Sequence, residues 1–125
     1  MGKSVSNDVL DAALDKVATG VLLVACSAEP TTRIEAVTTY ALADISLTPG
    51  DGNGDFTVAN GDTNGRKVTV AQQAGVTVDT SGTATHVAIV DGTTLLYVTT
   101  CTSQVLTSGN TVTFPAWDIE IADPS

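Results

Sequence analysis

Basic residues are scarce in this 125-residue chain, where Lys3, Lys16, Arg33, Arg66 and Lys67 face 14 Asp and Glu for a formal net charge of −9. A nucleic-acid binder needs a basic face to displace counterions from phosphates, so this balance excludes direct nucleic-acid binding. It equally opposes docking on an anionic membrane surface. Cysteine is limited to Cys26 and Cys101, each at the end of an apolar run and neither in a CxxC or metal-ligand spacing. Both are expected to be buried thiols acting as small hydrophobes. Aromatic residues reach only 4% (Tyr40, Phe56, Tyr97, Phe114 and Trp117) and are scattered, which suits core packing or an interface anchor better than a stacking platform. Trp117, just after Pro115, is the candidate anchor. The apolar run Val21 to Cys26 is too short to span a bilayer. No export signal is legible at the start, so folding in the cytoplasm is the expectation. Met1-Gly2 with Ser6 matches only the outline of a myristoylation signal, a pattern common by chance.

What is present is a foldable, β-rich composition. Hydrophobic residues make up 42% and charged residues 15%, too apolar and too weakly charged for a disordered chain. The 21 Thr and 16 Val lose side-chain freedom in a helix but sit comfortably on a pleated surface. The length fits one domain over residues 1–125. Residues 6–19 carry the one helix signal, with Val9, Leu10, Ala13, Leu14 and Val17 at helical spacing. Ser6 or Asn7 can cap it, and Gly20 offers a left-handed stop. Val21 to Cys26 follows without alternation, as a strand covered on both faces would. Thr32 and Glu35 have capping-box spacing and predict a short helical turn over 32–39. Residues 40–48 then return as a strand. Pro49 to Gly65 is rich in Gly, Asp and Asn and predicts an exposed loop or small protruding hairpin.

Beyond residue 65 the alternation is regular: 67–71, 76–78, 83–90, 93–101, 111–114 and 119–121, with a two-residue hairpin expected at Asp91-Gly92. The chain therefore reads as mainly β, an antiparallel β-sandwich or flattened barrel of about seven or eight strands with one N-terminal α-helix. From Val68 to Trp117 the only charges are Asp79 and Asp91. Soluble sheets usually blunt open edges with charge, especially Lys. Edges bearing Thr, Ser, Gln and Asn instead must be closed by the fold or covered by neighbouring subunits, and an open sandwich points to the second.

Catalytic chemistry has little to build on. His86, the single histidine, sits at a strand position without a nucleophile motif, as a structural or interface residue would. No glycine cluster follows a strand and opens a helix, so a phosphate-binding loop is missing. Asp51, Asn53 and Asp55 place oxygen ligands at positions 1, 3 and 5 of a calcium loop, with Asp62 at position 12. Phe56 stands where an EF-hand needs Gly, however, and no helix flanks the loop. Neither an enzymatic role nor a cofactor is expected, and no residue is assigned to catalysis or metal binding.

Three groups of segments carry a resemblance. They are Cys26-Ser27-Ala28-Glu29-Pro30-Thr31-Thr32 with Thr39-Tyr40-Ala41-Leu42; Asn64-Gly65-Arg66-Lys67-Val68-Thr69-Val70 with Gly82-Thr83-Ala84-Thr85-His86; and Thr107-Ser108-Gly109-Asn110-Thr111 with the ending Asp118-Ile119-Glu120-Ile121-Ala122-Asp123-Pro124. Together they resemble a family of small tailed-bacteriophage virion proteins; the stretch 49–63 lies outside the likeness. The resemblance implies a structural virion protein made in the host cytoplasm, most simply a capsid decoration (cement) protein. Its partners would be the major capsid protein and copies of itself, as a homotrimer by analogy. A neck, tail or fibre-base component is the alternative. A calcium- or carbohydrate-binding β module using residues 51–62 is the reading from another class.

Overall fold

The structure is a computed structural model and describes residues 4–123; the Met1-Gly2 pattern lies outside the described residues. It is mainly β and antiparallel, with one N-terminal helix and nine strands among the described residues, consistent with a sandwich-like fold. Helix α1 spans Asn7–Val17. The strands are β1 (Leu22–Cys26), β2 (Ala41–Ser46), β3 (Phe56–Asn60), β4 (Arg66–Val70), β5 (Gln73–Thr77), β6 (Gly82–Val90), β7 (Leu95–Leu106), β8 (Thr111–Phe114) and β9 (Trp117–Ile121). They form a four-stranded sheet in the order β2-β1-β6-β7, a three-stranded sheet β3-β4-β9 and the pair β5-β8. A bridge between Ala43 and Val78 ties the small pair to β2.

Strand β1 holds the centre because its two faces feed two different clusters. Leu23 and Ala25 face the main core, which joins Ile89 of β6 to Phe56, Val68, Val70 and Ile119 of the second sheet. Val24 and Cys26 face a smaller cluster with Ala36, Ala88 and Val90. The cover on that side is a π-helical turn, Glu35–Thr39. Thr32 Oγ1 accepts from the backbone N–H of Glu35 at 3.2 Å, while the Glu35 carboxylate reaches Thr31 N–H and Oγ1 at 2.8 and 2.7 Å. The expected capping box thus forms with its return bond one residue early.

Helix α1 is capped by Ser6, whose side chain accepts from Val9 N–H at 3.3 Å. It buries Leu10 and Leu14 and lies against β3, β4 and β7. Arg66 fastens it, with Nε 2.7 Å from Asp11 Oδ1 and Nη1 2.7 Å from Asn60 Oδ1. A half-buried, charge-assisted contact of this kind fixes geometry better than an exposed ion pair does.

Four expectations need correction. The helix ends through Ala18 in right-handed geometry, and Gly20 is not among the glycines of positive φ. A Cβ on Gly20 would instead overlap the Ile89 side chain, so that glycine is needed for close approach. Of the exposed loop or protruding hairpin expected over 49–65, residues 51–54 are exposed and Phe56–Asn60 forms a hairpin with Arg66–Val70, but the hairpin does not simply protrude, since Phe56 is wholly buried. A large apolar group near a Gly-rich stretch was enough to pull it into the core. The β6–β7 turn runs over 91–94 rather than two residues, because the Asp91 carboxylate accepts from the N–H groups of Thr93 and Thr94 at 2.8 and 2.6 Å. Finally, Cys101 is half-buried rather than buried.

Gly20→Ala should destabilise the fold by about 1–3 kcal/mol, the usual cost of overpacking a filled site. Thermal or denaturant unfolding checks it; an unchanged midpoint would contradict the close approach.

Candidate functional site

Cys26, His86 and Cys101 all lie in the four-stranded sheet, on β1, β6 and β7. In the β1–β6 ladder Cys26 stands opposite His86, a pairing that sequence separation concealed. The Cys26 thiol points to the Ala36 carbonyl at 3.6 Å, and burial, with a smaller contribution from Cys101, pushes its pKa up to about 11. A nucleophilic cysteine needs the opposite shift. Cys101 is also raised by burial. His86 Nδ1 lies 2.8 Å from Thr85 Oγ1, its hydrogen-bond partner among the described residues.

The acidic loop uses its side chains as staples. Asp51 Oδ1 accepts from Val58 N–H at 2.9 Å, and Asp55 accepts from Thr48 N–H at 2.6 Å and from Gln73 Nε2 at 2.9 Å. Asn53 donates to the Pro49 carbonyl at 2.8 Å. Among the described residues no three metal-ligating carboxylate, thiol or imidazole side chains come together. The spacing of Asp51, Asn53 and Asp55 is therefore met by bonds that close the loop over the outer side of β3. Lys67 is similarly engaged, with Asp62 at 2.7 Å and Asp118 at 3.2 Å, and these bonds raise its pKa. Asp118 is lowered, first by the hydroxyl of Thr69 and then by Lys67. Asp44 on β2 moves the other way, raised by burial and by the nearby charge of Asp79.

The feature without an internal partner is the side of the sandwich formed by β7. The chain leaves β7 through the tight turn 107–110 and enters β8, yet the two strands do not pair: β7 belongs with β6 and β8 with β5. They splay and leave two adjoining hollows of about 240 and 230 Å³ that share Val87, Cys101, Phe114 and Pro115. Trp117 lines the second and stacks on Tyr97 of β7, with ring centroids 5.8 Å apart and planes tilted by 34°. Trp117 is thus both core and surface: half-buried against the main cluster and open to the groove.

Strand β7 itself is the last strand of its sheet, 12 residues long and without a charge. Residues 100 and 102–105 are exposed, and Val105 keeps 75% of its surface open. Opposite Thr85 the strand bulges by carrying Cys101–Ser103, between the pairs His86–Thr100 and Ala84–Gln104. The bulge bends the strand and helps explain why Cys101 lines the hollow. The uncharged alternation legible in the sequence marked this strand; the partners that shape the groove, Tyr97 with Trp117 and Cys101 with Phe114, depend on strand order and were not legible. Compared with protein-family models, curated proteins and solved structures, the chain matches none.

Two outcomes follow from these environments. Under a neutral-pH alkylating agent, Cys101 should react before Cys26, and Cys26 should stay unmodified until the chain unfolds; mass spectrometry after digestion reads the order, and equal labelling would contradict the burial of Cys26. Because the folded Asp44 pKa lies above its unfolded value, ionising Asp44 costs stability, and the cost appears as pH rises through the raised folded value. Asp44→Asn should therefore raise the melting temperature at neutral pH, with the gain fading once the medium is acidic enough to protonate the carboxylate in both states. A gain that persists unchanged into acid would contradict this origin.

Proposed function

We propose that this chain is a structural virion protein of a tailed bacteriophage, a decoration protein that seats on the capsid shell and acts through its surfaces rather than by catalysis. The observation that carries the proposal is β7: a long, uncharged edge strand beside an apolar groove, in a chain of net charge −9. A free-standing sheet protein blunts such an edge with charge, whereas a protein that works inside an assembly has it covered. The likeness of segments 26–32, 64–70 and 118–124 to small virion proteins supports a phage particle as that assembly. The acidic balance suits the outside of a shell better than contact with packaged DNA. Affinity would come from modest contacts repeated by the symmetry of the shell. The protonated thiols and the placement of His86 support binding over chemistry.

The test is made on purified particles of a phage encoding the chain. The expected result is a copy number that tracks the major capsid protein, and rebinding of the purified chain to expanded shells that lack it. A copy number that tracks neck or tail proteins would move it to those positions. Its absence from the particle would overturn the proposal.

A further inference from the structure

We infer that Asn53 is a site of spontaneous covalent modification, where ring closure onto Gly54 turns the side-chain amide into a carboxylate and releases the loop that covers the outer side of β3. The inference stands apart from the virion reading, since it needs only water and this chain's own atoms.

In an Asn-Gly pair the glycine nitrogen reaches the side-chain carbonyl carbon most freely, because no Cβ stands in the way. The sequence holds three such pairs: Asn53-Gly54, Asn60-Gly61 and Asn64-Gly65. The fold restrains two of them. Asn60 ends β3 with its Oδ1 bonded to Arg66 Nη1 at 2.7 Å, and the Gly61 N–H donates to the Gly65 carbonyl at 2.9 Å. Asn64 Oδ1 accepts from the Asp123 N–H at 3.1 Å, and Gly65 lies so close to the Ile121 carbonyl that a Cβ there would overlap it. Gly54 differs on each count. Its N–H has no hydrogen-bond partner among the described residues, nothing lies within 4 Å of where a Cβ would sit, and residues 51–54 are all exposed. Two Asp-Gly pairs can close the same ring, and both are held. Gly52 N–H bonds the Phe56 carbonyl at 2.9 Å, while the N–H groups of Thr93 and Thr94 keep Asp91 ionised and so a poor electrophile.

The Gly54 nitrogen gives its proton to water or hydroxide and attacks Asn53 Cγ; the Cγ–Nδ2 bond breaks, and the nitrogen takes up a proton and leaves as ammonia. Water then opens the five-membered imide at either carbonyl, giving aspartate, or isoaspartate if the main chain now runs through Cγ. One water is consumed, one ammonia is released and nothing is oxidised or reduced. Before the reaction Asn53 Nδ2 donates to the Pro49 carbonyl at 2.8 Å. Afterwards that bond is lost, because carboxylate and carbonyl are both acceptors. The new charge also falls between Asp51 and Asp55, in a chain already at −9. Isoaspartate further lengthens the main chain by one methylene inside the loop. The Asp51–Phe56 bridge, the Gly52 bond to Phe56 and the Val58 N–H bond to Asp51 at 2.9 Å all span that point. The loop therefore loosens, and the outer edge of β3 opens.

The full chain is kept in warm, mildly alkaline buffer, either folded or in denaturant, then digested in acid for mass spectrometry. In the folded chain Asn53 should convert while Asn60 and Asn64 keep their amides; in denaturant all three should convert together. Asn53→Gln, whose longer side chain would have to close a larger ring, should lose the more acidic species that ion exchange separates from the natural protein. Asn60 or Asn64 converting first in the folded chain, or a folded Asn53 as lasting as those two, overturns the assignment. For the release, amide exchange at Gly52 and Val58 should quicken in the converted chain, with β1 unchanged and the aged Asn53→Gln chain like the fresh one. Equal protection before and after conversion would overturn the loosening of the loop.

Discussion

Everything in this fold is arranged around the need to cover one strand twice. Val21 to Cys26 offers apolar side chains in both directions, so β1 can lie neither at an edge nor on an outer face without exposing a row of them. It is therefore flanked by β2 and β6 in its own sheet. On one face it meets the second sheet across the Phe56–Val68–Ile119 layer. On the other, the segment with the π-helical turn folds back so that Ala36 closes over Val24 and Cys26. The π-helical turn is spent on one of these covers, α1 packs against β3, β4 and β7, and the outer edge of β7 is left without a paired strand.

That asymmetry links the packing to the surface chemistry. Where the molecule meets water by itself, it uses charge: Arg66 with Asp11, Lys67 with Asp62 and Asp118, and carboxylates that staple turns at Asp51, Asp55 and Asp91. Four of the five cations lie among these described residues, and three of them, Lys16, Arg66 and Lys67, are committed to carboxylates. No lysine remains in the sequence after Lys67 to guard the long edge. Net negative charge makes such molecules repel over most of their surfaces, and the one long edge without charge is β7.

Local signals were legible where the side chain itself did the deciding. The cap at Ser6, the apolar stripe of α1, the unalternating β1 and the uncharged alternation of β7 each follow from residue type and spacing. Illegible were features set by partners distant in sequence. Gly20 looked like a helix stop because only Ile89, nearly seventy residues on, makes it a packing glycine. The bonds of Asp51, Asn53 and Asp55 to Val58, Thr48, Gln73 and Pro49 form only once the loop has folded, so their spacing alone did not reveal them. Cys101 looked buried because the splay of β8 away from β7 depends on which strand each one pairs with.

The central claim is that the outer edge of β7 is covered by another chain, and amide hydrogen exchange along that strand tests it most directly. On the assembled particle the amides of Tyr97–Thr100 that point away from β6 should be protected, and they should exchange rapidly in the purified chain in dilute solution, while β1 and β6 stay protected throughout. Fast exchange of those amides on the particle as in the free chain would contradict it.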